Sequence, residues 1–392
     1  MHRRFHFVVF SQVCNRVVFE LCGLVARELG PTLLHTGTDF AHDPRPGLTV
    51  LKAPKYDNHS YPSRFRTWSV YIADALRVVM TLRGKPVVMV TSNPPFGPFL
   101  GHMLHRLRSW PYVVRILDVY PDIFVQSGMA GLGHPVTRVW ETLNRLSLNN
   151  AEHVITLGPV MAERVQRFLR PGKAVTFIPD WVDPTDIVPR LKTDNWFAQE
   201  HGQLGKLTIF YSGNVGLTHD LSALFRVAEA FQSEDDICFL FIDGGARRAE
   251  LEAIASLLRN FVLLPRQPEK NLPYSMTTGD VAVVTLGKGV EGTSMPSKTY
   301  HMMAAGCAIL GISHGDNDLK RIIEHYECGI NVDPKDVVGL REAILRFHLD
   351  RDFLERCRYN ARQAAETVFS SEVCNRIYLD LFRSMRVKVG PA

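Results

Sequence analysis

The chain has 392 residues, 46% of them hydrophobic and 22% charged, and no low-complexity tract. That length implies two domains, at most three, each able to bury a core of its own, and the composition excludes collagen-like, coiled-coil and disordered classes. A net charge of +5 is too mild to imply a nucleic-acid partner, and none is expected.

In chain order, FHFVVF (5–10) is a buried strand, and residues 15–29 follow with helical spacing through Val18, Leu21, Leu24, Val25 and Leu29. TLLHTG and LTVLKAP are short strands. Residues 64–83 form a long helix with Phe65, Trp68, Ile72, Leu76 and Val79 on one stripe. VVMVTS (87–92) is a strand that stops at Asn93-Pro94-Pro95. A helix over 98–108, strand YVVRILD (112–118), a helix over 134–149 and strands HVITLG (153–158) and VTFIPD (175–180) close the first half. A second series then begins: strand LTIFYSG (207–213), helix 219–232, strand CFLFIDGG (238–245), helix 246–260, strands FVLLP (261–265) and VAVVTL (281–286), helix 297–306 and strand AILGIS (308–313). Short apolar strands alternating with helices predict parallel sheets covered on both faces. The domains expected are 1–186, a Pro-, Gly- and charge-rich linker at 187–206, a second domain at 207–370, and a last helix at 371–392 packing back on the first domain. The fold class is α/β, two Rossmann-like domains facing a cleft, with ligands at the carboxyl ends of the strands.

The basic excess lies early. Residues 1–186 carry 21 Lys/Arg and 14 Asp/Glu, the remainder 24 and 26. Between 60 and 115 stand eight basic residues (Arg64, Arg66, Arg77, Arg83, Lys85, Arg106, Arg108, Arg115) against Asp74 alone. Two readings stand: a solvated face, or a surface that meets a membrane or a phosphorylated ligand. Arg64, Arg66, Arg77, Arg106, Arg108 and Trp110 mix cations with an aromatic and are the candidates for such a surface, whereas Trp68 is as well explained by core packing. Seven scattered cysteines, with no C-x-x-C pair, point away from disulfides or structural zinc and fit a reducing cytosol. The apolar run Phe5–Phe10 is interrupted by Asn15, Arg16 and Glu20 before a signal-peptide core forms, and no run of about 18 apolar residues predicts a spanning helix. The expected location is cytoplasmic and peripheral on the inner face of the plasma membrane.

Three motifs fall at strand ends. YSGNVG (Tyr211 to Gly216) lets backbone approach a ligand ahead of a helix, or is a plain tight turn. Neither G-x-G-x-x-G nor G-x-x-x-x-G-K-[ST] occurs, which disfavours an NAD dehydrogenase or a P-loop NTPase. IDGGARRAEL places Gly244 and Gly245 where a ribose or base edge fits, or where a βα turn simply closes. EGTSMPSKTYHMMAAG (Glu291 to Gly306) is the most specific. Pro296 suits a first helical turn, and Ser297 and Lys298 stand where free N–H groups and a cation together favour a diphosphate. Glu291 in the loop before them is placed to bind sugar hydroxyls; the plainer reading is an ordinary capped helix.

YSGN…G, then FIDGG, then PSK-x-x-x-MMAAG, together with TSNPP, RILDVYPD, AEHVITLG and IPDWVD in order, resemble the retaining GT-B glycosyltransferases of glycosyltransferase family 4, in the subgroup that builds bacterial surface polysaccharides. The resemblance covers about residues 85–345. It implies that the second domain holds a nucleotide-sugar and the first the acceptor. Gly213, Asn214, Gly216, Ser297 and Lys298 would line the diphosphate and sugar, Gly244 the nucleotide, Arg266 and Gln267 the base, and Asp118 would stand near the transferred sugar. Relatives carry two glutamates eight residues apart; here Glu291 is the candidate for the first and His301 takes the place of the second, at the ribose. Leu217-Thr218-His219 replaces a common basic pair, and His219 could contact sugar or phosphate.

The reaction implied is transfer of a hexosyl unit, with retained configuration, from a nucleoside diphosphate sugar (UDP- or GDP-linked) to a lipid-diphosphate-linked or surface-polysaccharide acceptor. No D-x-D loop is present, since Asp118 and Asp122 are too widely spaced, so no metal and no further cofactor is expected. Lys298 would stabilise the departing phosphate, and Asp118 and Glu291 complete the catalytic set. Two alternatives stay open: a non-catalytic scaffold or regulatory subunit of the same fold, and an epimerase acting on a UDP-sugar.

Overall fold

The computed structural model describes residues 4–40, 42–57, 59–126, 131, 133–215, 221–243, 245, 247–287 and 289–389, the side chains of 61 and 387–389 excepted. The chain divides into two units, Met1–Pro179 with Cys374–Ala392, and Asp180–Val373.

The first unit runs β1 (Phe7–Phe10), α1 (Arg16–Leu29), β2 (Thr32–Thr36), β3 (Leu48–Lys52), α2 (Tyr61–Thr81), β4 (Val87–Thr91), α3 (Gly97–Arg108), β5 (Tyr112–Arg115), α4 (Asp122–Gln126), α5 (Pro135–Asn150), β6 (His153–Thr156), α6 (Pro159–Gln166) and β7 (Thr176–Phe177). Its sheet has the parallel order β3-β2-β1-β4-β5-β6-β7. β1 and β4, as FVVF and VVMVT, are buried throughout, as strands covered on both faces must be. Local signals set the helix starts. Asn15 Oδ1 accepts the Val18 N–H at 3.0 Å, and Ser60 and Ser63 form a capping box ahead of α2. The connections from β3 to β4, β5 and β6 cross the sheet in one direction and that from β1 to β2 in the other. Right-handed crossovers therefore put α2, α3 and α5 on one face and α1 on the opposite one. Trp68 of α2, Phe124 of α4 and Trp140 of α5 share one aromatic cluster under that layer, so Trp68 is a core residue.

The second unit continues with α7 (Trp196–Glu200), β8 (Leu207–Ser212), α8 (Ser222–Ala230), β9 (Ile237–Asp243), α9 (Arg248–Leu257), β10 (Phe261–Pro265), α10 (Leu272–Met276), β11 (Val281–Thr285), α11 (Lys298–Ala304), β12 (Ala308–Ile312), α12 (Asp318–His325), β13 (Gly329–Val332), α13 (Val337–Leu349), α14 (Arg351–Thr367) and α15 (Ser371–Val389). The parallel order is β10-β9-β8-β11-β12-β13, and the core is the apolar inner face of these strands against α8, α13 and α14. The order reverses between β8 and β11, the kind of switch point at which open α/β sheets bind ligands.

Residues 187–206, expected as a linker, are folded onto the second unit instead. Lys192 Nζ donates to Lys206 O (2.7 Å) and to Thr208 Oγ1 (2.7 Å) and pairs with Asp280. Asn195 Nδ2 reaches Tyr274 O, Thr277 Oγ1 and Thr278 Oγ1 at 2.8–3.1 Å. The two crossings of the chain lie side by side, where Val182 N–H donates to Phe369 O (3.0 Å) and Ser371 N–H to Val182 O (2.8 Å). From Cys374 onward α15 belongs to the first unit, with Phe382 5.5 Å from the Phe7 ring and the Arg115 guanidinium 5.9 Å from the Tyr378 ring. All seven cysteines are buried free thiols.

Candidate active site

Three strand ends build a pocket on the second unit. β8 runs out into Gly213, Asn214 and Val215, β9 ends on Asp243, and β10 ends before Arg266 and Gln267. Gly213 has φ +142°, which a side chain would rarely adopt, and its N–H donates to Ile242 O at 3.0 Å. Asp243 is buried, and its carboxylate accepts the N–H groups of Val215 (2.7 Å) and Gly245 (2.8 Å). It thereby ties the turn after β8 to the turn after β9. The turns touch: a Cβ on Gly245 would stand 2.6 Å from Val215 N, so only glycine fits. The cavity they frame measures about 500 Å³ and is lined by Ser212, Gly213, Asn214, Ile242, Arg266, Gln267 and Glu269, with Leu272 and Met276 of α10 as its apolar wall. That volume lies in the small-molecule range.

α11 opens beside this turn. Lys298 Nζ lies 3.8 Å from the Tyr211 ring centroid, and a Cβ on Gly213 would stand 3.8 Å from the same nitrogen. Burial pushes the Lys298 pKa down to about 7, and the Asp243 carboxylate opposes that fall. The ring face beneath the ammonium favours the charge by about 0.5–2 kcal/mol. The site thus holds a cation short of negative charge, which an anionic ligand at the glycine turn would complete.

Two families of sequence describe this chain. Residues 16–181 match the glycosyl transferase 4-like domain and residues 192–364 the glycosyl transferases group 1 domain. The probable glycosyltransferase WbjE of Pseudomonas aeruginosa is 27% identical over 282 residues, 70% of each chain. The putative colanic acid biosynthesis glycosyl transferase WcaI of Escherichia coli strain K12 is 25% identical over 292 residues, 72% of this chain and 70% of its own. Anabaena HepE, solved in complex with UDP-glucose, superposes with a TM-score of 0.71 at 14% identity over 96% of this chain and 99% of its own. The chain is a glycosyltransferase of the GT-B fold.

Within the glycosyltransferase, Gly213, Asn214, Arg266 and Gln267 line one cavity and Lys298 stands at its glycine turn. Gln267 is engaged locally, donating to Pro265 O (2.8 Å) and accepting from Asn271 Nδ2 (3.2 Å). Ser297 is exposed next to Lys298, and His301 lies one turn on with Nδ1 3.3 Å from Ser297 O. One oxygen of Glu291 accepts the Gly289 N–H at 2.7 Å, within its own loop. Gly216, His219 and Gly244 lie outside the described residues. α11 is shorter than the 297–306 expected: Gly306, at φ +71°, ends the turn after it, and Pro296 precedes it, its carbonyl accepting from Thr299 Oγ1 at 2.8 Å.

The enzyme's other candidate, Asp118, lies beyond β5 rather than at its end, because the strand stops at Arg115. Ser92 Oγ accepts the N–H groups of Leu117 (2.9 Å) and Asp118 (3.1 Å) and so fixes the loop. Asp118 lines a cavity of about 20 Å³ with Ser92, Pro95, Tyr120, Asn144 and neighbouring apolar groups. Burial raises its pKa to about 6 and pushes the Tyr120 phenol upward, with Asp118 adding to the latter. Among the described residues no cluster of three or more His, Cys, Asp or Glu could hold a metal, and no helix is long and apolar enough to cross a membrane.

Of the surface candidates, Arg66, Arg77, Arg106 and Arg108 are exposed and Arg64 is half-buried. Trp110 is not a surface residue. It is 1% exposed, its indole N–H donates to Gly84 O at 3.0 Å, and Arg108 covers its ring at 5.9 Å. The aromatic is enclosed at the foot of α3. The residues that the sequence reading passed over are Asp243 and Tyr211. Both stood inside quoted motifs, whose glycines drew the attention. An acid ending an apolar strand directly before Gly-Gly was the available signal for a carboxylate accepting turn amides.

Proposed function

We propose that the enzyme transfers a hexosyl unit, with retained configuration and without a metal, from a nucleoside diphosphate sugar to a lipid-linked or surface-polysaccharide acceptor at the cytoplasmic face of the membrane. The observation that carries this reading is Lys298 over Tyr211 at the Gly213 turn: a desolvated cation beside open backbone at the carboxyl end of β8. A leaving diphosphate supplies the missing negative charge, and the ammonium neutralises what develops as the sugar–phosphate bond breaks. Gly213 and Asn214 approach the phosphates and sugar; Arg266 and Gln267, on the far wall of the cavity, meet the base. Glu291 holds sugar hydroxyls through its second oxygen, and His301 the ribose. Gly216, His219 and Gly244 would join the donor set. Asp118 orients the sugar near the acceptor, and the donor phosphate itself takes the acceptor proton.

HepE crystallised with UDP-glucose supports a UDP-sugar, and the name of WcaI supports an acceptor of polysaccharide assembly. Incubating the protein with a panel of UDP- and GDP-sugars and lipid-diphosphate-linked glycans, with and without EDTA, tests the reading. An α-linked product from an α-linked donor, formed equally in EDTA, is expected. An inverted product, or activity restored only by a divalent ion, would overturn the mechanism proposed.

A further inference from the structure

A second cavity of about 500 Å³ lies on the same unit, at the other edge of its sheet, beside the last strand β13. It shares no lining residue with the cavity at the glycine turn. Ile323 of α12, Ile330 of β13 and Phe353 of α14 give it an apolar wall. Its charged groups come in two pairs. Arg346 of α13 and Arg356 of α14 are the cations, and Glu324 and Glu327, at the end of α12, are the acids.

Both guanidiniums lean on one ring. The Phe353 centroid lies 3.8 Å from Cζ of Arg346 and 5.5 Å from that of Arg356. The ring is fixed in turn: Phe353 is buried, stacks 5.5 Å from Phe347, and donates its N–H to Asp350 Oδ1 at 2.9 Å. Among the described residues neither arginine makes an ion pair, since Glu355, next to Arg356, turns to Arg358 at 2.9 Å. Two like charges gathered on one ring repel each other. A phosphate held by both removes that repulsion and uses the N–H edges that stacking leaves open.

The acids are placed as deliberately. Glu327 has φ +47°, in the turn that ends α12, where glycine is the usual residue. Its N–H donates to Glu324 O (3.3 Å) and the Cys328 N–H to Ile323 O (3.1 Å). Its carbonyl accepts from Asn360 Nδ2 at 3.2 Å, whereas its carboxylate makes no hydrogen bond or ion pair among the described residues. A position that suits glycine thus carries a carboxylate at the cavity.

We propose that this cavity binds a hexose phosphate. Arg346 and Arg356 hold the phosphate, Glu324 and Glu327 accept from sugar hydroxyls, and the C–H face of the sugar rests on Ile323 and Ile330. A bare anion would leave the carboxylates without donors, and a polyanion such as a nucleic acid would meet them as like charges. Nor is a ring open for base stacking, because Arg346 covers Phe353. The site stands apart from the donor reading and does not depend on it.

The test is calorimetric titration of the full chain with the 1- and 6-phosphates of glucose, mannose and galactose, with inorganic phosphate and with glucose, each repeated in excess UDP. A hexose phosphate is expected to bind at least about ten-fold more tightly than inorganic phosphate or glucose, and equally well with UDP present. Arg346→Gln and Arg356→Gln are each expected to weaken it by about ten-fold or more. Glu327→Gly suits the backbone at that turn, so the variant is expected to melt no lower than the wild type while its affinity for the hexose phosphate falls to that for inorganic phosphate. Failure of every hexose phosphate to bind, equal affinity for inorganic phosphate, displacement by UDP, or arginine or glutamate variants that bind like the wild type would overturn the proposal.

Discussion

Each unit holds an ionisable group whose pKa burial shifts, Lys298 at the start of α11 in the second and Asp118 in the loop beyond β5 in the first, and their surroundings differ. In the second unit Lys298 stands beside Gly213, which lines a cavity of about 500 Å³, and burial drives its pKa down to about 7. In the first, Asp118 lines a space of about 20 Å³ among aromatic and apolar side chains, and burial drives its pKa up to about 6. Each group is held in an environment that disfavours its charge, but the glycine turn beside the lysine borders the larger cavity. The comparison teaches that the anion site proposed for the second unit has open space at its glycine turn, whereas the loop of Asp118 in the first is packed.

Removing the lysine is the harshest way to break that contrast. Lys298→Ala is expected to lower transfer by about 10²–10³-fold, the cost of one preorganised donor to a developing anion, while circular dichroism and thermal melting show the fold intact. Wild-type turnover in the variant would remove the diphosphate from this turn.

The next effect sharpens the link between Lys298 and Asp243. Asp243→Asn keeps the shape but loses one acceptor for the amides of Val215 and Gly245, a cost of about 1–3 kcal/mol. It also removes the carboxylate that holds the Lys298 pKa up. Among the described residues, Tyr211 lies beneath the ammonium and Arg248 donates to the Asp243 carbonyl at 2.7 Å, and both stay in place. The expected result is a roughly ten-fold loss of turnover with the alkaline limb of the pH profile moved to lower pH. A profile that keeps its shape would reduce Asp243 to a turn fastener. The same lysine makes UDP affinity pH-dependent in the wild type. Below pH 7 the free ammonium is charged; above it the free protein is increasingly neutral while the diphosphate stays ionised. Affinity measured by calorimetry should therefore fall by up to about ten-fold per pH unit above 7, with proton uptake on binding seen as a buffer-dependent heat.

How much of this was legible in the sequence follows the same division. Both sheets could be read because parallel strands buried on two faces are runs such as VVMVT and VAVVT, bounded by turn residues. Part of the cavity's lining could be read because residues at strand ends before turns are local signals: Gly213, Asn214, Arg266 and Gln267 line one cavity. Asp243 sat in a local acid–Gly-Gly signal with Gly245 two residues on, but its link to Val215 is made only by the pairing of β8 with β9, which no local window contains. Residues 187–206 read as a linker because the Lys192–Asp280 and Asn195–Thr278 contacts span more than eighty residues. Trp110 read as a surface aromatic beside its arginines, and only the packing of α3 over β5 shows that its ring is enclosed.

The smallest effect tests the first unit on stability alone. Asp118 has a folded-state pKa near 6 against an ordinary carboxylate value near 3.8 in the unfolded chain, so ionising it costs the folded state free energy at any pH above both values. Two pKa units set an upper bound of about 3 kcal/mol, and the half-exposed position of the group lowers that to about 1–2 kcal/mol. Asp118→Asn removes the cost. The variant should melt higher than the wild type at pH 8, by a few degrees for a chain of this size. The advantage should shrink as pH falls through 6 and vanish below about 4, where the wild-type carboxyl is protonated in both states. An advantage independent of pH would mean that the asparagine gains hydrogen bonds of its own, and no advantage at pH 8 would mean that water reaches Asp118 and that the two units are less alike in their desolvation than their geometry implies.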